Sequence, residues 1–511
     1  SDSESKCALF DEGTSMKQPQ RIELVPGYQI SRIITGLWQV ADIEKTGNSM
    51  DMDSAARSLV EYAETGFDTF DMADHYGSAE LIAGHARKQL LKDAQSKGSS
   101  LKARFHTKWC PKPGEMTAQK VRDGVLQSAE RLAVEQIDMM QFHWWNYEHP
   151  DYLEAMEGLQ LARDEGIINQ IGLTNFDTDH LHLLLQEGHE IISNQVVVSL
   201  LDRRALEEMS ELCLKHGIKL LAYGSVAGGF LSEKWLGKVE PSLSQINDWS
   251  KMKYKRFIEQ TGGWEKFQQI LATLDRIAQK KKASITNVAT RWVLDQPAVG
   301  AVIIGARLSE SEHRSDNANL FSFALDQEDH EAIDEVMSGT RRLKGDCGSE
   351  YRQPPFLTAA GDLSDHLEEQ SISDHRLTLF KDQDVQKLGT GSFWESVCGY
   401  SRAVKKGGRI LVSGTTAIHG EDRVICSNDP RGQTVYILDK ILSAVSVLGG
   451  KRSDIIRTRV YLSNSEHCEV VSRVHGRYFE GLNPANTTLE VSNLIGDHLV
   501  EIEAEAIVED A

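Results

Sequence analysis

Between residues 21 and 339, short apolar runs rich in branched side chains alternate with longer stretches whose apolar positions recur every three or four residues. The runs 21–24 and 29–34 flank Pro26-Gly27 and read as a hairpin. The runs 37–40, 69–72, 105–109, 137–143, 170–173, 195–199, 219–223 and 302–304 read as strands. Between them, 54–65 puts Ala55, Leu59, Tyr62 and Ala63 at helical spacing and stops at Gly66. The stretches 120–132 and 150–165 repeat the pattern, the second ending at Gly166. Eight strands alternating with helices predict an α/β fold, a (β/α)8 TIM barrel rather than an open sheet. No G-x-G-x-x-G fingerprint follows the first strand, and the one G-x-G, Gly389-Thr390-Gly391, has no predicted strand before it.

Four regions follow. Residues 1–20 are polar and aperiodic and read as a disordered tail; 21–345 form the barrel. Residues 346–386 are polar and acidic, contain Pro354-Pro355 and read as a linker. Residues 387–511 read as a small α+β domain. Its strands are 409–413, 455–462, 487–491 and 499–508, its helices 435–448 and 468–479. Glu501, Glu503 and Glu505 alternate along the last strand and share a face.

Composition narrows the partners. The chain has 511 residues, 40% hydrophobic and 26% charged, a globular and soluble profile. Lys and Arg number 56 against 76 Asp and Glu, a net charge of −20, so a phosphate backbone is repelled and no nucleic-acid partner is expected. No apolar run reaches the ~18–20 residues that span a bilayer, so no membrane role is expected. Seven cysteines stand far apart without a C-x-x-C, which disfavours a disulfide scaffold or a zinc site. No metal is expected, and the cytoplasm is the expected location. The start at Ser1 reads as processed, which leaves room for an organelle after loss of a transit peptide.

The chemistry gathers at strand ends, where such barrels build their active sites. Asp71, Tyr76, Lys108 and His143 lie there. A buried ammonium needs a partner, and Asp71 can supply it to Lys108. A phenol beside an ammonium gives up its proton more readily. Tyr76 is therefore a candidate acid toward a carbonyl oxygen, and His143 can donate a second hydrogen bond there. Singly, each fits a structural ion pair or a core histidine. Together they make a general-acid site without nucleophile or metal, suited to carbonyl reduction by hydride.

Phe70-Asp71-Met72-Ala73-Asp74-His75-Tyr76-Gly77-Ser78-Ala79-Glu80 resembles the D-x-A-x-x-Y-G-x-x-E motif of the aldo-keto reductase superfamily. Thr107-Lys108 and Gln141-Phe142-His143-Trp144 resemble its other two catalytic segments. The resemblance implies an NAD(P)H-dependent reductase of aldehydes or ketones. Asp71, Tyr76, Lys108 and His143 would be its catalytic residues, with Tyr76 as acid. Ile171-Gly172-Leu173-Thr174-Asn175-Phe176, Asn194-Gln195-Val196 and Ala222-Tyr223-Gly224-Ser225 are similar to its cofactor segments. The resemblance assigns Thr174, Asn175 and Gln195 to the nicotinamide carboxamide and stacks Tyr223 on the ring, with Gly224 and Ser225 beside it. Ile303-Ile304-Gly305-Ala306-Arg307 resembles the late phosphate segment. Gly305 and Arg307 would meet the adenosine phosphate and Asn317 the adenine, with His313 in the same set. Arg suits a fixed phosphate, so NADP(H) is expected over NAD(H). Leu308 to Asp316 is about two residues longer than the usual spacing. Trp38, Trp109 and Trp144 are expected to line an aromatic pocket for the carbonyl compound.

The last domain resembles the Rid (YjgF-like) family over Gly399-Tyr400-Ser401-Arg402-Ala403-Val404, Pro484-Ala485-Asn486-Thr487 and Val500-Glu501-Ile502-Glu503-Ala504. The resemblance implies a chorismate-mutase-like fold, a homotrimer and a cleft at Tyr400, Asn486 and Glu501. Asn486 stands where active members carry a substrate-binding Arg, and a neutral amide cannot form that bidentate pair. Standard imine deamination is therefore not expected. The alternative to a reductase is an NADP(H)-binding regulatory or sensing protein with little turnover.

Overall fold

Eight strands close in parallel around one axis, and the register fixes which residues reach the mouth. The computed structural model describes residues 17–45, 47–48, 51–246, 249–306, 313–353 and 374–509. Most of the expected tail therefore lies outside the described residues. An antiparallel hairpin, β1 (Arg21–Val25) and β2 (Tyr28–Ser31), comes first. Its Leu24, Tyr28 and Ile30 pack on Ile34, Met139, Leu221 and Ala301 and close the end of the barrel opposite the mouth. The staves are β3 (Ile33–Gly36), β4 (Thr69–Asp71), β5 (Arg104–Trp109), β6 (Ile137–His143), β7 (Ile168–Thr174), β8 (Ser193–Val197), β9 (Lys219–Tyr223) and β10 (Val299–Gly305). β10 pairs with both β9 and β3, so no edge remains.

One expectation fails here. Residues 37–40 are not a strand: Trp38–Lys45 is a helix, and the first stave is Ile33–Gly36. The hairpin and the stave part at Arg32, whose guanidinium leaves to donate to the carbonyls of Leu294 and Gly300 at 2.9 Å. Ile33–Gly36 is buried throughout, and a short apolar run without alternation carries no period to tell strand from helix.

The C-terminal sheet has the order β11-β12-β13-β14-β19-β17-β18. Its strands are β11 (Thr378–Asp382), β12 (Val385–Gly389), β13 (Ala403–Lys406), β14 (Arg409–Thr415), β17 (Ile455–Leu462), β18 (Ala485–Glu490) and β19 (Val500–Ile507). A small hairpin, β15 (Ile418–His419) and β16 (Arg423–Val424), intervenes. The expected linker 346–386 is structured at both described ends. Ser349–Arg352 is a short helix at the barrel mouth, while β11 and the start of β12 belong to the sheet. A strand thus does run up to Gly389. Every residue of β11 is exposed, so it never acquires the alternation that would announce it. No described helix is long and apolar enough to cross a membrane, and none of the six described cysteines is in a disulfide.

The helix Pro430–Val447 covers β14 and β19 and packs against the barrel helix Thr178–Gln186. The seam between the domains is charged. His182 meets Asp429 at 2.6 Å, Arg376 meets Asp151 at 2.6 Å and Glu154 at 2.9 Å, and Arg477 meets Asp179 at 2.7 Å. At its centre the buried His180 lies 2.7 Å from Asp177 and 2.6 Å from Asp439, its ring stacked 3.4 Å from that of Tyr147. Burial alone would push the imidazole down; Asp177 and Asp439 outweigh it and hold it up at about 10.

That clasp generates a prediction. The folded imidazole keeps its proton above the unfolded value near 6.5, so its contribution is full below that pH and fades as pH rises toward about 10. His180→Ala strands two carboxylates and should cost ~3–5 kcal/mol in the first denaturant transition at pH 6. The variant should also lack part of the stability decline between pH 6.5 and 10. Identical pH profiles for wild type and variant would show that the imidazole is not charged.

Candidate active site at the barrel mouth

Three of the four expected polar groups are buried together at the ends of β4, β5 and β6, and Tyr76 lies half-buried beside them. Asp71, Lys108 and His143 are each under 5% exposed. Lys108 Nζ donates to Asp71 Oδ2 at 2.5 Å. Asp71 Oδ1 accepts from Gln141 Nε2 at 2.9 Å and from Gln195 Nε2 at 2.8 Å. Both carboxylate oxygens are therefore engaged, as a buried charge requires. Lys108 Nζ lies 4.9 Å from the centre of the Tyr76 ring, and Trp38 packs edge-on to that ring at 5.2 Å. Gly77 follows with φ +52°, a conformation that strains any residue with a Cβ, and a Cβ there would have to push the Glu44 carboxylate aside. His143 Nδ1 lies 3.5 Å from Cys110 Sγ, and its ring packs edge-on to Trp145 at 5.1 Å.

The aromatic expectation needs correction. Side chains alternate along a strand, so if Lys108 faces the mouth, Trp109 faces the helices. Trp109 stacks on Phe142 at 5.6 Å and presses on Gly124 of the helix Ala118–Leu132. Trp144 is fully buried, and its Nε1 donates to the carbonyls of Asn146 and His149. Both are core. Trp38 and Trp145 are the tryptophans beside the polar group.

The expected cofactor residues follow around the rim. Thr174 is buried at the end of β7, and its Oγ1 has no hydrogen-bond partner among the described residues. Asn175 has φ +54°, and its N–H donates to the Gln195 carbonyl at 2.8 Å. Tyr223 Oη donates to Asn175 Oδ1 at 2.7 Å. Gly224 has φ +67° and abuts the Tyr254 hydroxyl, and Ser225 is buried beside it. Gly305 ends β10. Asn317 is half-buried on the helix His313–Ala318. Arg307 and the side chain of His313 lie outside the described residues. An orphaned buried hydroxyl next to a pinned asparagine suits a ligand amide, so the residues present fit a nicotinamide carboxamide.

Residues the sequence did not suggest complete the mouth. The segment 345–352 crosses it as a strap. Arg204 Nη2 donates to Glu350 Oε2 at 2.9 Å and to Asp202 Oδ2 at 2.7 Å, all three buried. Burial alone would raise the Glu350 carboxyl, but Arg204 and then Lys253 outweigh it and hold it below its usual range. Arg352 donates to the carbonyls of Asn175 at 2.7 Å and Trp144 at 2.6 Å. Tyr351 stacks on Trp145 at 5.3 Å and lies 6.2 Å from the His143 ring. No local signal marks Glu350 and Arg352, because their partners Arg204, Asn175 and Trp144 stand more than a hundred positions away. Gln141 was within reach, two residues before His143 on the same side of its strand.

In the second domain, the expected cleft is not assembled within one chain. Glu501 lies on β19 and faces the side of the sheet away from the helices, with Tyr400 just before β13. Asn486 sits on the edge strand β18, beyond β17, and donates to Thr458 Oγ1 at 3.0 Å. Beside Tyr400 stands Arg402, its guanidinium 5.9 Å from the Tyr400 ring. A cavity of about 510 Å³ opens between the domains, lined by Tyr147, His180, Arg352 and Arg452 among others, but none of Asp71, Tyr76, Lys108 and His143 lines it. His149, Asp151 and His375 have metal-ligand spacing, yet the Asp151 oxygen they share already accepts from Arg376 at 2.6 Å.

Comparison with known proteins agrees with this geometry. The Aldo/keto reductase family profile matches residues 32–338, and the Endoribonuclease L-PSP profile matches residues 392–508. The chain is 32% identical over 179 residues to flagellar radial spoke protein 5 of Chlamydomonas reinhardtii, covering 32% of this chain and 34% of that protein. It thus spans about a third of that relative's length. It is 37% identical over 123 residues to uncharacterized protein SCO2049 of Streptomyces coelicolor, 24% of this chain and 91% of that protein. It is 24% identical over 310 residues to the NADH-specific methylglyoxal reductase of Escherichia coli, 55% of this chain and 87% of that protein. The aldo/keto reductase match takes in all eight staves with Asp71, Tyr76, Lys108 and His143, and the chain belongs to the aldo/keto reductase family, with a Rid/YjgF-like domain joined behind the barrel.

Proposed function

We propose that the chain reduces an aldehyde or ketone to an alcohol, with Tyr76 as the proton donor. One observation carries the reading: a lysine–aspartate pair buried at the mouth, with Tyr76 against the ammonium and His143 beside it. A bound reduced nicotinamide would supply the hydride. Thr174, Asn175 and Gln195 would hold its carboxamide and Tyr223 its ring; Gly224, Ser225, Gly305, Arg307, His313 and Asn317 would hold the rest. Tyr76 Oη gives its proton to the carbonyl oxygen as negative charge develops there. The Lys108 ammonium favours the phenolate left behind, and Asp71 keeps that ammonium in place. His143 donates a second hydrogen bond to the same oxygen. The proposed location is the cytoplasm, on the wide spacing of the seven cysteines.

Tyr76→Phe should lower turnover by ~10²–10⁴-fold and leave cofactor binding unchanged. The check is loss of NADPH absorbance with a panel of aldehydes, beside a binding titration. Near-normal turnover would show that the acid lies elsewhere. Tight NADPH binding by the wild type with no substrate turned over would favour a sensing protein instead.

NADP(H) is the proposed cofactor, on the charge of Arg307. A charged hydrogen bond contributes ~1.5–3 kcal/mol, so NADPH should bind at least tenfold tighter than NADH. Equal affinities by calorimetry would remove the preference.

The second domain is proposed to assemble three chains and to lack standard imine deamination. The helix-free face of its sheet supports this, since it leaves Leu411, Leu489 and Ile507 exposed. Light scattering on the full chain should give a trimer, and Leu411→Lys with Leu489→Lys a monomer. A monomeric wild type would reject the assembly.

A further inference from the structure

Lys253 Nζ donates to the Tyr351 hydroxyl at 3.0 Å, that hydroxyl lies 3.3 Å from the Tyr223 hydroxyl, and the latter lies 2.7 Å from Asn175 Oδ1. An ammonium can only donate, so the Tyr351 oxygen accepts from Lys253. The row then runs in one sense, each hydroxyl accepting one bond and donating one, when Tyr351 donates to the Tyr223 oxygen. The Tyr223 proton then goes to Asn175 Oδ1. Lys253 keeps its charge despite full burial: desolvation would lower it, but Tyr254, Tyr351 and Glu350 hold it above its usual value.

The far end of the row is where direction matters. The backbone of Asn175 is already fixed, its N–H on the Gln195 carbonyl and its own carbonyl on Arg352. Gly348 of the strap lies so close that a Cβ would sit 2.4 Å from that carbonyl. The remaining freedom is a half-turn of the side-chain amide, which exchanges its donor and acceptor ends. With Oδ1 taken by Tyr223, Nδ2 is the end left to donate, and the preceding residue, Thr174, carries the orphaned hydroxyl.

We infer that Tyr351 and Lys253 are positioning residues for the nicotinamide: through Tyr223 they fix the Asn175 amide with its donor toward the ligand carboxamide. The inference rests on the cofactor reading given above. It assigns a task in the barrel to a segment beyond the barrel, and to a lysine that touches neither substrate nor cofactor. Without the Tyr351 hydroxyl, Tyr223 can equally accept from Asn175 Nδ2, and the amide loses its set orientation.

The test is calorimetry on the full chain with two ligands, NADPH and adenosine 2′,5′-bisphosphate, which lacks the nicotinamide. Tyr351→Phe keeps the ring on Trp145 and removes only the hydroxyl. It should weaken NADPH by about fivefold to tenfold, the scale of one hydrogen bond, and leave the bisphosphate unchanged. Lys253→Met should give the same selective loss, and the double variant no more than either single one, because all three break one chain. Equal weakening of both ligands would reveal a general loosening of the strap and overturn the inference, as would unchanged NADPH binding. A wild type that binds the bisphosphate but gains nothing from the nicotinamide would overturn the cofactor reading itself, and this inference with it.

Discussion

A lysine ammonium held almost out of water is the constraint on which the mouth of this barrel depends. An unpaired charge at that depth is costly enough to be neutralised or expelled. Lys108 stays because Asp71 meets it on one oxygen while two glutamine amides occupy the other. Those glutamines come from β6 and β8, so one ion pair ties together four of the eight staves at their upper ends. Tyr76 is set against a group that is already immobile.

The same physics recurs twice away from the tetrad. Arg204, Asp202 and Glu350 form a second buried charge cluster, and it moors the strap. His180 between Asp177 and Asp439 forms a third, and it moors the C-terminal domain. Asp177 and Thr178 follow directly on Asn175 and Phe176, and the Asp346 carboxylate of the strap accepts from the Thr178 N–H at 2.9 Å. Domain seam, strap and the rim at Asn175 therefore meet within one short stretch of chain after β7.

Much of this was legible in the sequence. Short apolar runs without alternation give the staves, because the barrel buries its strands on both faces, and period-3.6 patterning gives most helices. The tetrad is readable because its members stand at strand ends in a characteristic order. The errors have physical causes as well. Trp109 and Trp144 neighbour Lys108 and His143 in sequence, but neighbours on a strand face opposite ways. The run 37–40 is too short to show a period. The described ends of the stretch 346–386 read as linker because their order comes from partners such as Arg204, Lys253 and Asp151, none of them nearby in the chain. Polar composition marks a loop only when its polar groups find water, and these find buried charges instead.

The strap separates two notions of where the reductase stops. By similarity the barrel unit closes at residue 338. By contact it runs on to Arg352, which holds the Asn175 carbonyl. A gene cut at the similarity boundary would encode every stave and all four polar groups at the mouth, yet the excised barrel would have Arg204 facing Asp202 alone and a gap beside Trp145. Activity measured on such a fragment would describe an altered active site, and shuffling of these two modules would have to carry the junction along with the barrel.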